Sequence, residues 1–313
     1  MLPLEQPASA NMSRVLFAAA ITSTFTVTIL GSFFNLNLLY KFIFKSSTLS
    51  GFQRICSLKT LNNCIICASF LFWVLPVTLL SLTLSQVNYI ANKLVGIISP
   101  TWAYYLNSYL QVCLACNRFY GLYFPFGIKV FNSVPITNIA IGISVTVVTI
   151  YSALSVPVGC GYFFDSNYFV WRIEDGECAE KLESIFPYVI IGTTVLTNLF
   201  NIATGTRLLL SKISGLSREH AERRKRRWMI MFVQSVIQDC LQLFDTINCN
   251  YIIGLNDAMW FQFVFVTLSL VVYTTLDGFV MFVCHSEFRF TCCWNRKSTK
   301  STENVTLSVV EKI

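Results

Sequence analysis

Seven long apolar stretches separated by short polar joints constrain this chain more than any other feature. They run from Val15 to Phe44, Thr60 to Leu84, Leu94 to Asn117, Ile136 to Val158, Ile185 to Leu210, Trp228 to Ile253 and Ala258 to Cys284. A helix needs about 20 apolar residues to cross a hydrocarbon core of about 30 Å, and each stretch is long enough. In lipid the backbone must satisfy its own hydrogen bonds, and unbroken runs without period-two alternation select helices over a β-barrel. With 54% hydrophobic residues and a mean hydropathy of +0.59, a soluble fold of 313 residues would have too little polar surface. The expected fold is all-α: a seven-helix transmembrane bundle over residues 15–284, preceded by a short segment 1–14 and followed by a tail 285–313. The tail is expected to form a short amphipathic helix and then to be disordered.

Lysine and arginine set the expected orientation, because they are retained on the cytoplasmic side. Nineteen of the 23 cations fall on alternate joints and the tail, beginning with Lys41, Lys45, Arg54 and Lys59. The remaining joints hold only Arg14, Lys93, Arg172 and Lys181. The amino terminus is therefore expected outside and the tail in the cytosol. The first stretch is too long for a signal-peptide core and reads as an uncleaved anchor. Asn11-Met12-Ser13 is a glycosylation sequon on the permitted side, although the pattern also arises by chance. The net charge of +7 follows from this topology and from contact with anionic lipid headgroups, and requires no nucleic-acid partner.

Signatures of catalysis and cofactor binding are not found. His220 and His285 have no metal-ligand spacing and read as solvated side chains. There is no phosphate-binding glycine loop and no Gly-x-Ser-x-Gly, so an enzyme is not expected. Most of the 12 cysteines lie within the apolar stretches, where a thiol behaves as a small hydrophobe. Cys160 and Cys178 differ, because they bracket the acidic joint from Gly159 to Ser184 in an oxidising compartment. A bridge there contributes about 3 kcal/mol in the chain-entropy description. Cys249, near the outer end of the sixth stretch, is the competing partner for either one. Cys292 and Cys293 follow the last stretch at a spacing that suits S-palmitoylation, or equally two unmodified thiols.

At the inner end of the third stretch stands Asn117-Arg118-Phe119-Tyr120, then Tyr123-Phe124-Pro125. The second stretch offers Phe70-Leu71-Phe72-Trp73-Val74-Leu75-Pro76, the joint before it Gly51-Phe52-Gln53-Arg54-Ile55-Cys56, and the seventh Leu276-Asp277-Gly278-Phe279. Together these resemble the nematode serpentine receptors of class X, chemoreceptors of the rhodopsin-like G-protein-coupled superfamily, over about Gly31 to Arg289. The resemblance implies a rhodopsin-like bundle, an external small-molecule or peptide ligand and a heterotrimeric G protein. It further implies residence in the plasma membrane, with sensory cilia as the expected site and a homo- or hetero-oligomer as a further partner class. Arg118 becomes the hinge of activation, with Asn117 and Asp277 beside it in the coupling machinery. The departures are specific. Against the rhodopsin-like pattern, Asn117 stands in place of an acid, the second stretch holds no carboxylate, Lys93 occupies the usual cysteine position, and the sixth stretch lacks a proline. Snorkelling into the headgroups is the alternative role for Arg118. The run Arg223-Arg224-Lys225-Arg226-Arg227 serves topology and lipid contact, or also G-protein docking.

Ionisable groups inside a membrane are costly and usually face the bundle interior. Asp239, Asp245 and Asp277 qualify. Gln238, Gln242, Asp245 and Asn248 share one face of the sixth stretch, while Tyr104, Asn107 and Gln111 share the inward face of the third with Arg118. Asp239 and Gln111, near the midplane, read as interhelical hydrogen-bonding groups. Tyr104, Asn107, Gln242 and Asp245 are the expected ligand contacts, with Trp102 and Tyr105 either lining the cavity or marking the aromatic belt. The seventh stretch contains no lysine, which excludes a retinal Schiff base there. The rival reading is an ion- or proton-coupled transporter or channel using Asp239, Asp245 and Asp277.

Overall fold

The computed structural model describes residues 14–44, 49–124, 136–210 and 218–285. Asn11, Cys292 and Cys293 lie outside the described residues. Seven long helices make up most of the described chain: α1 Arg14–Phe44, α2 Gly51–Leu79, α3 over residues 89–123, α4 Ile136–Ala153, α5 Glu177–Leu210, α6 Arg218–Ile247 and α7 Met259–His285. By length and composition α1, α2, α4, α5 and α7 are each able to cross a membrane. Helices α3 and α6 carry many of the buried polar side chains, among them Asn107, Gln111, Arg118, Gln238 and Asp245.

Helix α2 begins nine residues before the expected Thr60. The Ser50 hydroxyl accepts from the Gln53 N–H at 3.3 Å while the Gln53 side chain accepts from the Ser50 N–H at 3.0 Å, a reciprocal cap that starts the helix at Gly51. Lys59, counted above among the cations of a solvated joint, therefore stands in the third turn of α2 and is fully buried. Its assignment to the positive-inside set is corrected, since it faces protein rather than headgroups. His285 also departs from its expected solvated role, packing against the Phe42 ring at 5.1 Å between centroids.

At one end of the bundle the helices loosen. Phe70–Val74 in α2, Ile97–Ala103 in α3, Asn248–Ile252 after α6 and Phe263–Leu268 in α7 wind as π-helix. In α3 the segment contains Pro100, which has no N–H for the helical ladder. In α2 it ends just before Pro76. A π turn accommodates an extra residue and re-aims the side chains that follow.

This end is roofed by a hairpin, β1 Tyr162–Asp165 and β2 Val170–Ile173, paired antiparallel with Phe164 opposite Trp171. Phe169 holds a left-handed φ of 57°, unfavourable for an aromatic residue. Its carbonyl accepts from the Thr267 hydroxyl on α7, and its ring packs 5.6 Å from that of Phe17. Cys160 and Cys178 are disulfide-bonded across the base of the roof, and Cys249 is a free thiol.

Helix α3 grips the roof closely. Asn92 acts as a surrogate strand, accepting from the Phe164 N–H at 3.1 Å and donating to the Phe164 carbonyl at 2.9 Å. Gly96 permits this approach, because a Cβ there would sit 2.0 Å from the Tyr162 carbonyl oxygen. Lys93, in the first turns of α3, forms an ion pair with Glu174 at 2.8 Å and donates to the Pro157 carbonyl at 2.6 Å. Glu174 also accepts from the Cys160 and Gly161 N–H groups at 2.9 and 3.0 Å. Burial pushes the Glu174 carboxyl up, but hydrogen bonds from Lys93, Tyr89 and the Gly161 N–H outweigh it and hold the group below its ordinary 4.5.

A depressed carboxyl stabilises the fold above its unfolded value, and that contribution is lost as pH falls through the folded one. Glu174→Gln is therefore expected to cost about 1 to 3 kcal/mol, the penalty for stranding buried partners. In thermal unfolding of the purified protein the gap from wild type should be full at pH 7 and shrink below pH 4.5. An equal gap at both pH values would show that the carboxylate charge contributes nothing.

Candidate functional site

Asp277 of α7 sits at the centre of the bundle with no exposure. One carboxylate oxygen accepts from Lys59 Nζ at 2.6 Å and from Gln238 Nε2 at 2.8 Å; the other accepts from Asn63 Nδ2 at 2.7 Å. Lys59 Nζ donates a second bond, at 2.8 Å, to Gln111. Helices α2, α3, α6 and α7 thus meet on one ion pair. Asn107 donates to Asn63 at 2.8 Å and accepts from Asn62 at 3.1 Å. Asn63 also reaches Asn35 of α1 at 3.2 Å. Gly278 makes room for Asn35, whose amide nitrogen would lie 2.4 Å from any Cβ at that position.

Toward the end opposite the hairpin, Arg118 is 1% exposed, which does not fit snorkelling. It donates to the Leu114 carbonyl at 3.0 Å, to the Met231 carbonyl of α6 at 2.8 Å and to the Ser235 hydroxyl. Ser235 also accepts from Gln111 at 3.2 Å, linking the arginine to the central network. Asn117 turns away from this cluster and accepts from Thr137 of α4 at 3.4 Å. Asp239 accepts from Asn201 of α5. The run Arg223 to Arg227 falls on the first turns of α6, with the Arg226 side chain exposed.

Beneath the hairpin lies a cavity of about 910 Å³. Tyr104 lines it from α3, Asp245 from α6, Cys249 from the π segment after α6, Leu270 from α7, and Tyr168 and Trp171 from the roof. Asp245 accepts from Ser269 at 2.7 Å through one oxygen, while its other oxygen has no hydrogen-bond partner. The Trp171 indole N–H is likewise unpartnered.

Of the four expected ligand contacts, Tyr104 and Asp245 reach this cavity. Asn107 and Gln242 are not on its wall, and their placement there is corrected. Asn107 is turned into the Asn62–Asn63 cluster, and Gln242 donates to Ser108 across the α3–α6 contact. Trp102 donates to Thr149 of α4 at 3.1 Å and Tyr105 packs on Tyr151, so neither lines the cavity. Lys59, Lys93, Glu174 and Ser235 are buried members of these polar networks that the sequence reading does not place there. Their signals were present only as a capping pattern before α2 and as acids in a joint.

The profile described as "Serpentine type 7TM GPCR chemoreceptor Srx" matches residues 25–285. The chain belongs to the Srx family of chemoreceptors. Among solved structures, squid rhodopsin superimposes with a TM-score of 0.67 at 9% identity, covering 91% of this chain and 87% of that one. At that identity the likeness speaks for the fold alone. No curated protein matches the chain. Family and fold together make this Srx protein a multi-pass, seven-helix chemosensory G-protein-coupled receptor. They leave the enzyme and transporter readings without support.

In the Srx receptor, removing one member of the buried pair should be costly and removing both much less so. Lys59→Met or Asp277→Asn alone is expected to lose about 3 to 5 kcal/mol, the usual cost of stranding a buried charge. The double variant should recover most of that loss, as measured by thermal unfolding of the monomeric fraction in detergent. Additive losses would mean that the pair contributes no coupling energy.

Proposed function

We propose that the hairpin end of the Srx receptor faces the exterior at the plasma membrane, that an external chemical binds in the cavity under the roof, and that the opposite end engages a heterotrimeric G protein. In sensory neurons this placement corresponds to the ciliary membrane. The observation that carries the reading is the path of α6. That helix presents Asp245 to the cavity, Gln238 to the central carboxylate, and Ser235 and the Met231 carbonyl to Arg118. At 1.5 Å per residue, the fourteen positions from Asp245 to Met231 span about 21 Å. A ligand that shifts the hairpin end of α6 therefore acts through one rigid element on the contacts at the far end.

Tyr104 and Asp245 are the ligand-contacting residues in this reading, while Asn107 and Gln242 hold α3 against its neighbours. Arg118, Asn117 and Asp277 set the resting contact among α3, α4, α6 and α7. The basic run Arg223, Arg224, Lys225, Arg226 and Arg227 belongs to the cytosolic end of α6 in this reading, on the side of anionic lipid and the G protein. Cation placement supports the orientation, because removing the buried Lys59, Arg118 and Lys93 from the count still leaves seventeen cations on one set of joints and the tail against three on the other joints. Cys292 and Cys293 on that side suit acylation, and Asn11 on the opposite side suits glycosylation.

Nucleotide exchange on a purified G protein, driven by a screened agonist, tests the proposal against solute flux in liposomes. Exchange without flux is expected, and flux without exchange would sink the receptor reading. Arg118→Ala should abolish agonist-driven exchange while leaving agonist binding intact. Tyr104→Ala should raise the agonist concentration needed by about tenfold, equivalent to about 1.4 kcal/mol. Impermeant labelling of Ser217→Cys in intact cells would reverse the assigned orientation.

A further inference from the structure

The two buried lysines are matched by carboxylates, the buried Arg118 and Asp239 are held by hydrogen bonds to neutral groups, and Asp245 stands on the cavity wall. Lys59 is matched by Asp277 at 2.6 Å and Lys93 by Glu174 at 2.8 Å. Asp245 has no such match. It is 2% exposed, its neighbours are the neutral Ser269 and Tyr104, and none of the ion pairs among the described residues includes it. Its unpartnered oxygen belongs to a side chain on the cavity wall.

The rest of the wall carries more acids than cations. Asp175 and Asp257 line the cavity along with Asp245, and the one cation of the wall, Arg172, is held by Asp165 at 3.3 Å. A cavity with low-dielectric walls concentrates such a potential and enriches the counter-ion. Aromatic faces complete the surround: Tyr104, Tyr168, Trp171 and Tyr251 all line it. Aromatic rings attract organic cations through their quadrupoles, adding about 0.5 to 2 kcal/mol per well-placed ring. A volume of about 910 Å³ accommodates an organic molecule rather than a bare ion.

We infer that the cavity is built for an organic cation, an amine or quaternary ammonium on an apolar body, with Asp245 as its counter-charge and the surrounding rings as its walls. This rests on the proposal that the cavity is the ligand site, and deepens it by naming the ligand class. Anionic ligands are disfavoured by the three carboxylates. A neutral ligand leaves the Asp245 carboxyl without a counter-charge, so the group stays unmatched or takes up a proton, and the ligand gains nothing from it.

Cys249 supplies a reporter, since it is a free thiol on the same wall. In full-length receptor reconstituted in lipid nanodiscs, alkylation of Cys249 by a neutral maleimide is followed by peptide mapping. Benzyltrimethylammonium is expected to protect Cys249 saturably, and its uncharged isostere neopentylbenzene to protect at least tenfold more weakly. Asp245→Asn should erase that preference. Val266→Trp and Ile173→Trp, each filling the cavity from a different wall, should remove protection by the ammonium. Equal protection by both probes, or an ammonium preference unchanged in Asp245→Asn, would overturn the cation inference and leave the cavity standing as a ligand site. A Cys249 that neither probe protects would also overturn the cation inference. If no reagent reaches Cys249, the cavity is closed to ligands and both readings fall.

Discussion

The contact between the Lys59 ammonium and the Asp277 carboxylate, 2.6 Å long and fully buried, is the interaction on which the bundle depends. Stripping two ions of water costs several kcal/mol each, and their attraction repays this only when the remaining donors and acceptors are also satisfied. Here they are, because Asn63 and Gln238 donate to the carboxylate and Gln111 accepts from the ammonium. Lipid tails are as apolar as leucine, so no hydrophobic force drives one helix onto another in a membrane. Packing and polar bonds carry the association. A single carboxylate that collects α2, α6 and α7, with α3 joined through the lysine, fixes the mutual register of four helices at once. Gly278 extends the assembly to α1, since only a residue without Cβ leaves room for Asn35.

Arg118 belongs to a different regime. Its guanidinium meets two carbonyls and a hydroxyl rather than a carboxylate, so the link between α3 and α6 at that end consists of charge-assisted hydrogen bonds to neutral acceptors. Such bonds are worth about 1.5 to 3 kcal/mol each, less than the cost of splitting a buried ion pair. The middle of the bundle is thus joined by an ion pair and its far end by hydrogen bonds to neutral acceptors. In the proposed mechanism the contact of Gln238 with the central carboxylate serves as the fixed point of α6.

The bundle was legible in the sequence because apolar length is a strong signal, and the polar face of α6 because helical spacing is reliable over two turns. The failures have physical causes. Counting cations by linear position assigned Lys59 to solvent, since nothing in a charge tally distinguishes a headgroup from a buried carboxylate more than two hundred residues away. The Ser50 and Gln53 cap would have moved the start of α2 back and exposed the error. A shared helical face placed Asn107 with Tyr104 and Gln242 with Asp245. A face is wide enough, however, to touch different neighbours at different depths. The hairpin was overlooked because its strands are four residues each, although Asp165-Ser166-Asn167 between aromatic runs is a usable turn signal. Cys160 and Cys178 were identified correctly because compartment and loop position outweighed the rival Cys249.

The roof over the cavity is seated on α3 through Lys93 without a covalent bond. A cysteine at the top of α3 would join the helix to the roof covalently and leave its position permanent. Here the disulfide closes the roof on itself, and among the described residues the attachment to α3 is an ion pair, the Asn92 hydrogen bonds and a close backbone approach at Gly96. The attachment to α7 is the bond from Thr267 to the Phe169 carbonyl. Each of these is reversible on its own, whereas together they hold a strained Phe169 and a buried Glu174 in place. A roof of this kind keeps its internal shape, fixed by its own disulfide and strand pairing, while its seat on the helices remains breakable. Because Lys93 lies in the turn before the α3 π segment and Asp245 lies on the cavity wall, the seat and the cavity are parts of the same end of the bundle. A substitution at Lys93 thus acts on the mouth of the cavity as well as on the stability of the fold.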